Sequence, residues 1–500
     1  MGSPLENVEK LAHSAAVVFF GTVVGNVLAL VGQVWIAREL TPALFGSVAL
    51  AYTIVSSVGI LTLSGVPDGV VKLRSSATGD PDRQREVTAA GLFIVSVVSV
   101  VASVLMYFFA ADIARAAKDA SVEQFLRLFL PYLILLPLGR VVLSILRSEE
   151  KSFAASVSRD LLPRAVALAV FAIALILGAP VLGAVGYWLS VPLVLLVSVA
   201  YFLRRYEVPV PLGFLPPRER IREVWSFSWP LAVSSGLFVV MANFDVVMIG
   251  YFMQSEDVGY YRAIQPLRRV PTFVFTAISF LLLPMLSEHY ADGEYEFIDS
   301  LYKRSTKWVV FLTFPVVIFL VCFSPGIVQI LFGSKYAPAA APLSVLLAGM
   351  FVRSIFGDNG DVMKAIGETR GELYSATTGF LTNIGLNVLL IPPFGTVGAA
   401  LATVSGYAVY NVAEVVVIHR TVGALPFSVE TYKPLFFSGF VAVSLRGWFW
   451  GEQIGVSTLL GVWTAIVASH FASVYLLGSL DELDRSLISD ALTKLDFSSI

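Results

Sequence analysis

The chain has 500 residues, 57% of them hydrophobic and only 14% charged, with a formal net charge of −2. Soluble domains carry about 25% charged residues, so too few are present to coat a water-facing surface of this size. Disorder, nucleic-acid binding and a secreted disulfide scaffold are excluded, and the single cysteine, Cys322, rules out an intrachain disulfide or a cysteine metal cluster.

Apolar runs of roughly 20 residues suit membrane-spanning helices. Read in chain order, they predict an all-α integral membrane protein with fourteen spans. The first six lie near 17–37, 44–66, 88–110, 125–146, 165–181 and 184–203. The next six lie near 225–252, 257–283, 308–331, 341–363, 373–391 and 396–418, and a final pair near 434–451 and 455–477. Two cuts rest on short breaks, at Gly178-Ala179-Pro180 and at Pro392-Pro393. Removing either would leave a helix too long for a bilayer. The first apolar run has no small-residue cleavage site and reads as a signal anchor. Glu6 stands where a myristoylation signal needs Ser or Thr.

Loop cations set the expected orientation. One side collects 23 of them, among them Lys72, Arg74, Arg83, Arg85, Arg147, Lys151, Arg159 and Arg164; the other has Arg38, Arg115, Lys118, Arg127 and Lys335. Both termini are therefore expected in the cytoplasm, in a multi-pass protein of the cell membrane. Six arginines fall within predicted spans: Arg140, Arg262, Arg268, Arg269, Arg353 and Arg446. A guanidinium facing lipid costs several kcal/mol, so these six are candidate cavity residues.

The chain also repeats itself. Gly46 and Gly259 follow comparable short linkers and lie 213 positions apart, as do Arg140 and Arg353; Gly183 and Gly186 precede Gly395 and Gly398 by 212. An even number of spans fits within that offset, so the expected architecture is a parallel repeat of two six-helix lobes, residues 17–203 and 225–418. A cytoplasmic segment (1–16), a linker (204–224), the appended pair (434–477) and a tail helix (478–500) complete it. The tail stripe of Leu483, Leu487, Ile488, Leu492 and Leu495, with a charge sum of −3, is expected to pack on the protein rather than on anionic lipid.

Three segments carry a resemblance: Ala37-Arg-Glu-Leu-Thr-Pro-Ala-Leu-Phe-Gly46; Phe244-Asp-Val-Val-Met-Ile-Gly-Tyr-Phe252 with Val258-Gly-Tyr-Tyr261; and Pro392-Pro-Phe-Gly-Thr-Val-Gly-Ala-Ala-Leu-Ala402. Together they resemble the polysaccharide-biosynthesis flippases of the multidrug/oligosaccharidyl-lipid/polysaccharide superfamily, up to about Leu477. The resemblance implies a V-shaped pair of lobes that moves a polyprenyl-linked sugar to the outer leaflet. It identifies the superfamily well and the substrate poorly.

The arginines suit such a cargo, because a guanidinium stays ionised when buried and grips phosphate oxygens bidentately. Arg262, Gln265 and Arg269 are expected on one face of the eighth span, with Arg268 pointing elsewhere. Snorkelling to an interface is the plainer alternative for Arg262 and Arg446. Asp245, with Asn243 beside it, reads equally as an ion-coupling carboxylate or a structural partner. Gly357-Asp-Asn-Gly-Asp361 could break the tenth span and bind a cation through Asp358 and Asp361, or be a span that ends early. Glu414 is expected to be wetted. No catalytic residue, metal site or cofactor is expected, and Na+ or H+ coupling is left open. The expected partners are a lipid-linked oligosaccharide and membrane lipids, with glycan-assembly enzymes as candidate protein partners, no nucleic acid, and a monomeric state. The rivals are a cation-coupled multidrug exporter of the same superfamily, which wants acids in the first lobe, and a multispanning glycosyltransferase or polymerase, which wants a large catalytic loop.

Overall fold

The computed structural model describes residues 4–63, 65–211, 213–449 and 454–486, and among them every regular element is helical. The chain divides into two compact units, Met1–Ala263 and Ile264–Ile500. Nine helical stretches among the described residues are long and apolar enough to cross a membrane. Large apolar side chains stand fully outward, Ile176 at 84% and Phe436 at 82% exposure; such surfaces suit hydrocarbon and not water.

The first unit holds α1 (Pro4–Glu39), α2 (Pro42–Leu63), α3 (Val66–Ser76), α4 (Pro81–Ala116), α5 (Ser121–Leu128), α6 (Leu130–Ser148) and α7 (Ser152–Ser156). A π-helical turn, Val157–Leu161, joins α7 to α8 (Leu162–Ile176); α9 (Pro180–Arg205), α10 (Arg218–Phe252) and the first part of α11 (Ser255–Arg268) follow. Proline sits in the first turn of α3, α4, α8 and α9, where its missing N–H has no helical partner to lose. Val66, Val70, Val87, Val141 and Val224 form one apolar core joining α3, α4, α6 and α10. Buried Arg74 of α3 bolts it to α4 and the end of α6, through Thr88 (2.8 Å), Ser148 (3.0 Å) and Glu149 (2.8 Å).

The second unit holds α12 (Thr272–Ala291), α13 (Tyr295–Cys322), α14 (Ser324–Phe332), a 3-10 turn (Ser334–Ala339), α15 (Ala340–Phe356), α16 (Asn359–Ala365), α17 (Thr369–Val422), α18 (Val429–Trp448) and α19 (Val456–Leu476). At 1.5 Å per residue, the 54 residues of α17 would extend roughly 80 Å, far beyond a bilayer core of about 30 Å. The helix kinks at Gly395, three residues after the expected proline break. Leu282, Tyr302, Val362, Met363 and Ile418 form a core that holds short α16 against α12, α13 and α17.

Some helix starts recur at the 213-residue spacing noted in the sequence. Pro42, Pro81 and Ser121 open α2, α4 and α5; 213 positions on, Ser255 and Ser334 open α11 and the 3-10 turn, and α13 opens at Tyr295, one residue late. Buried Asp484 anchors the start of the tail to α13, by an ion pair to Lys307 and a hydrogen bond from Trp308 Nε1 (3.1 Å). The expected tail helix continues through 487–500, which lies outside the described residues, with Leu487, Ile488, Leu492 and Leu495.

Within the first unit the repeat-related glycines meet. A Cβ on Gly46 would stand 1.6 Å from the Ser255 carbonyl oxygen, and one on Gly259 would stand 2.1 Å from that of Pro42. The obstacle is backbone in both cases, so no rotamer change relieves it. Gly46→Ala and Gly259→Ala are each expected to destabilise the protein by about 1–3 kcal/mol. The check is thermal melting of detergent-solubilised protein, with Gly385→Ala as control, since a Cβ there meets nothing within 4 Å.

Candidate functional site

The cationic site of the first unit is built on α6. Arg140 and Arg147 lie seven residues, two turns, apart and so share a helix face. The π-turn supplies the third guanidinium. An extra residue in its turn re-aims the side chains that follow, and it carries Arg159 beside buried Asp160. Asp160 accepts from Arg159 (2.7 Å) and from Arg164 (3.3 Å), which fixes the π-turn against the next helical turn.

Arg140, Arg147 and Arg159 line one cavity of about 150 Å³, walled by Ile60, Leu63, Pro67 and Leu143 and with Asp68 as its acid. A neighbouring cavity of about 280 Å³ shares Leu143, Arg147 and Arg159 and adds Ser152 and Ser156. Since a water occupies roughly 30 Å³, the smaller one admits a group the size of a few waters. Arg147 bridges Asp68 at 3.0 Å on an exposed edge, an attachment worth about 1 kcal/mol or less. Arg140 Nε is buried with no hydrogen-bond partner, and such an unmet donor costs about 1–3 kcal/mol until something accepts from it. Three arginines, one weakly held lining acid and an unmet donor make this cavity the candidate site for an anion, although Arg159 also leans on Asp160.

Arg262 occupies a different setting in the same unit. Its guanidinium lies 5.9 Å from the centre of the Tyr52 ring, and Tyr52 stacks on Trp188 at 4.8 Å. Gln33 Nε2 donates to its backbone carbonyl at 2.6 Å. Asp245 is buried between α10 and α11, where Tyr261 donates to it at 2.6 Å. Asn243 is half-buried two residues before it on α10.

In the second unit, Arg353 lies 4.8 Å from the Phe275 ring centre. The expected arrangement on the eighth span is corrected: α11 ends at Arg268, so Arg269 sits exposed in the turn beyond it and does not continue the face of Arg262. Pro266 and Pro271 flank that end, and proline removes ladder donors. Gln265 and Arg268 are buried instead. Arg446 donates to the Phe449 carbonyl (3.4 Å) at the end of its own helix. The tenth span does break: Gly357 takes a φ of 70° between α15 and α16, a conformation open to glycine. Asp358 accepts from Ser279, and Asp361 pairs with Lys364 at 2.9 Å. Glu414, expected to be wetted, is 1% exposed.

Sequence reasoning thus missed Arg147 and Arg159, counted as loop cations, and Glu414. The seven-residue spacing of Arg140 and Arg147 was the available signal for the first; Tyr410, Asn411 and Glu414 on one helix face was the signal for the last.

A polar node ties one end of the first unit. Asp119, in the loop before α5, accepts from Ser121 (2.6 Å), Ser47 and Ser255 (both 2.5 Å). Burial pushes its carboxyl up, but the hydrogen bonds from Ser121, Ser255 and Ser47 outweigh that and hold it below its ordinary 3.8.

Long apolar helices around cationic cavities define a membrane transporter fold. The polysaccharide biosynthesis protein family matches residues 11–289, more than half of the chain, and the chain belongs to that family; the MatE family matches residues 230–389. Lipid II flippase MurJ of Bacillus subtilis (strain 168) is 23% identical over 458 residues, covering 83% of each chain. The probable low-salt glycan biosynthesis flippase Agl15 of Haloferax volcanii is 27% identical over 197 residues; the match takes in 39% of this chain and spans 42% of that relative's length. A solved structure titled as lipid II flippase MurJ in an inward closed conformation superposes with a TM-score of 0.75 at 14% identity, covering 94% of this chain and 99% of that one. That likeness shows the fold, and these relatives are named as flippases.

The depressed Asp119 fixes a sign. Its contribution to stability is present above the ordinary carboxyl range and is lost as pH falls through the lowered value. Asp119→Asn is therefore expected to lower the melting temperature at neutral pH. The difference from wild type should close only below about pH 4, as followed by melts across an acid series.

Proposed function

We propose that this protein carries a lipid-linked glycan across the cell membrane, holding the polyprenyl phosphate or pyrophosphate head on Arg140, Arg147 and Arg159. The observation that carries this reading is that Arg140, Arg147 and Arg159 line one cavity whose lining acid, Asp68, is weakly tethered, with Arg159 steadied from behind by Asp160. An anion entering it satisfies Arg140 Nε and can displace Asp68 from Arg147, while charge-assisted bonds form to its oxygens. The isoprenoid tail stays in hydrocarbon, where it costs nothing to keep.

In this reading the chain has fourteen spans, in lobes of residues 17–203 and 225–418 with an appended pair at 434–477, and both termini are cytoplasmic. Arg147 and Arg159 belong to the cation-rich side, so the head loads from the cytoplasm and rocking of the lobes releases it outside. Arg262 and Arg353, each against an aromatic ring, are the next positions for the head; Gln265 and Arg268 follow, and Arg269 and Arg446 carry least of the reading. The names of the relatives, glycan and lipid II flippases, support the cargo class. The multidrug rival is disfavoured because Asp68 and Asp160, the acids beside this cavity, are both engaged by arginine. Glycan-assembly enzymes are the partners this role calls for, and a monomer suffices for it.

Arg140→Glu and Arg159→Glu, reconstituted into vesicles, should lose at least about tenfold in translocation of a fluorescent polyprenyl pyrophosphate sugar, the loss of one charge-assisted contact being worth roughly 1.5–3 kcal/mol. Arg159→Lys keeps the charge without the bidentate fork and should fall between. Unchanged flipping in both Glu variants, with normal insertion, defeats the proposal.

A further inference from the structure

The second unit contains a buried polar cluster that an anion-carrying cavity does not explain. It gathers at the break between α15 and α16. Tyr302 of α13 donates to the Phe356 carbonyl (2.8 Å) and to Asn359 Oδ1 (3.0 Å). Asn359 Nδ2 donates in turn to Asn411 Oδ1 on α17 (3.1 Å). One turn on lies Glu414, 1% exposed, with Tyr410 and Asn359 against its carboxyl group. Its Oε1 atom is buried and has no hydrogen-bond partner. Buried polar atoms are nearly always satisfied, so this oxygen keeps an unused capacity to bind one more group.

From the geometry we infer that Glu414 is a proton-binding site, taking up one H+ on its carboxylate to give the neutral acid and releasing it later in the cycle. The bonding around it favours a proton over a metal cation. Sodium needs several oxygen ligands at once, whereas Asn359 Oδ1 and Asn411 Oδ1 already accept hydrogen bonds and Tyr302 spends its hydroxyl proton inside the cluster. One Glu414 oxygen is left over, and one proton fills it.

The charges that face this carboxyl set the terms of its titration. Glu372 and Tyr410 share α17 with it, and Arg353 approaches from α15. Tyr302 faces it from α13, with Asp358 and Tyr432 beside that hydroxyl. Asp361 is already taken by Lys364, and Asp358 by Ser279. Glu414 therefore stands as the carboxylate of the cluster with no committed partner on one oxygen.

The chain of Glu414, Asn359 and Tyr302 ends on the carbonyl of Phe356, the residue before the Gly357 break. Protonation removes the charge that Asn359 faces, so it alters the attachment of α16 to α17 at the point where the tenth span is discontinuous. Coupling of this step to glycan movement rests on the transport reading above; proton binding itself does not.

The test is infrared difference spectroscopy of the full-length protein in liposomes, stepping from about pH 5 to about pH 9 without any glycan. Wild type should show a protonated-carboxyl C=O band that disappears with rising pH. Glu414→Gln should remove it and Asp358→Asn should keep it. Glu414→Asp, which retains the acid, should shift the band, and serves where the Gln variant does not fold. A band surviving in Glu414→Gln, no titrating band in wild type, or a band abolished at fixed pH by sodium in place of choline overturns the proposal. Flipping that fails while the band behaves as described would instead count against the transport reading alone. If both hold, the response of flipping to an imposed pH gradient should be lost in Glu414→Gln.

Discussion

A guanidinium cannot rest in hydrocarbon, and in this chain that constraint governs the arrangement of both polar centres. Insertion costs several kcal/mol for each such charge, so each arginine within the apolar stretches must find an acid, an aromatic face, a carbonyl or a cavity. The structure uses all four. Arg74 is fully tied to Glu149, Thr88 and Ser148; Arg262 and Arg353 lie on rings; Arg446 reaches a helix-end carbonyl. Arg140, Arg147 and Arg159 line a cavity. In that last group Arg140 Nε keeps a donor without a hydrogen-bond partner, which is why the cavity is the candidate binding site.

The fold was legible because composition and period leave few choices. Apolar runs and glycine landmarks placed α2, α4, α6 and α9 close to where they lie, and the offset between Gly46 and Gly259 marked two backbones that approach within the space of a missing Cβ. Less legible were features that depend on the local winding of a helix. Sequence spacing assumes 3.6 residues per turn; the π-turn at Val157–Leu161 and the end of α11 at Arg268 violate it. Arg159 was thereby drawn into the cavity lining, and Arg269 was lost from the face assigned to it. Glu414 was read as wetted from its place near a span end, but burial is set by neighbours from α13 and α16 that sequence distance does not reveal.

The two centres differ in a way that suits a carrier. On the proposed reading, the first unit's fixed positive charge, which does not titrate because it is carried by arginine, would hold an anionic head throughout a cycle. The Glu414 carboxyl of the second, set in hydrogen bonds at a helix break, would be the group that changes charge. Binding of cargo and supply of energy would then be divided between chemically distinct groups, with the glycine contact and the Asp119 node restraining one end of the first unit.

The most direct measurement is binding, before any movement is asked for. Purified protein should bind a polyprenyl pyrophosphate and discriminate against the uncharged polyprenol of the same length, with affinity falling as salt rises. Replacing Arg140, Arg147 and Arg159 together by alanine should erase that discrimination. Equal binding of the charged and uncharged lipids by wild type, or discrimination that survives the triple replacement, would contradict the assignment of the arginine-lined cavity to the headgroup.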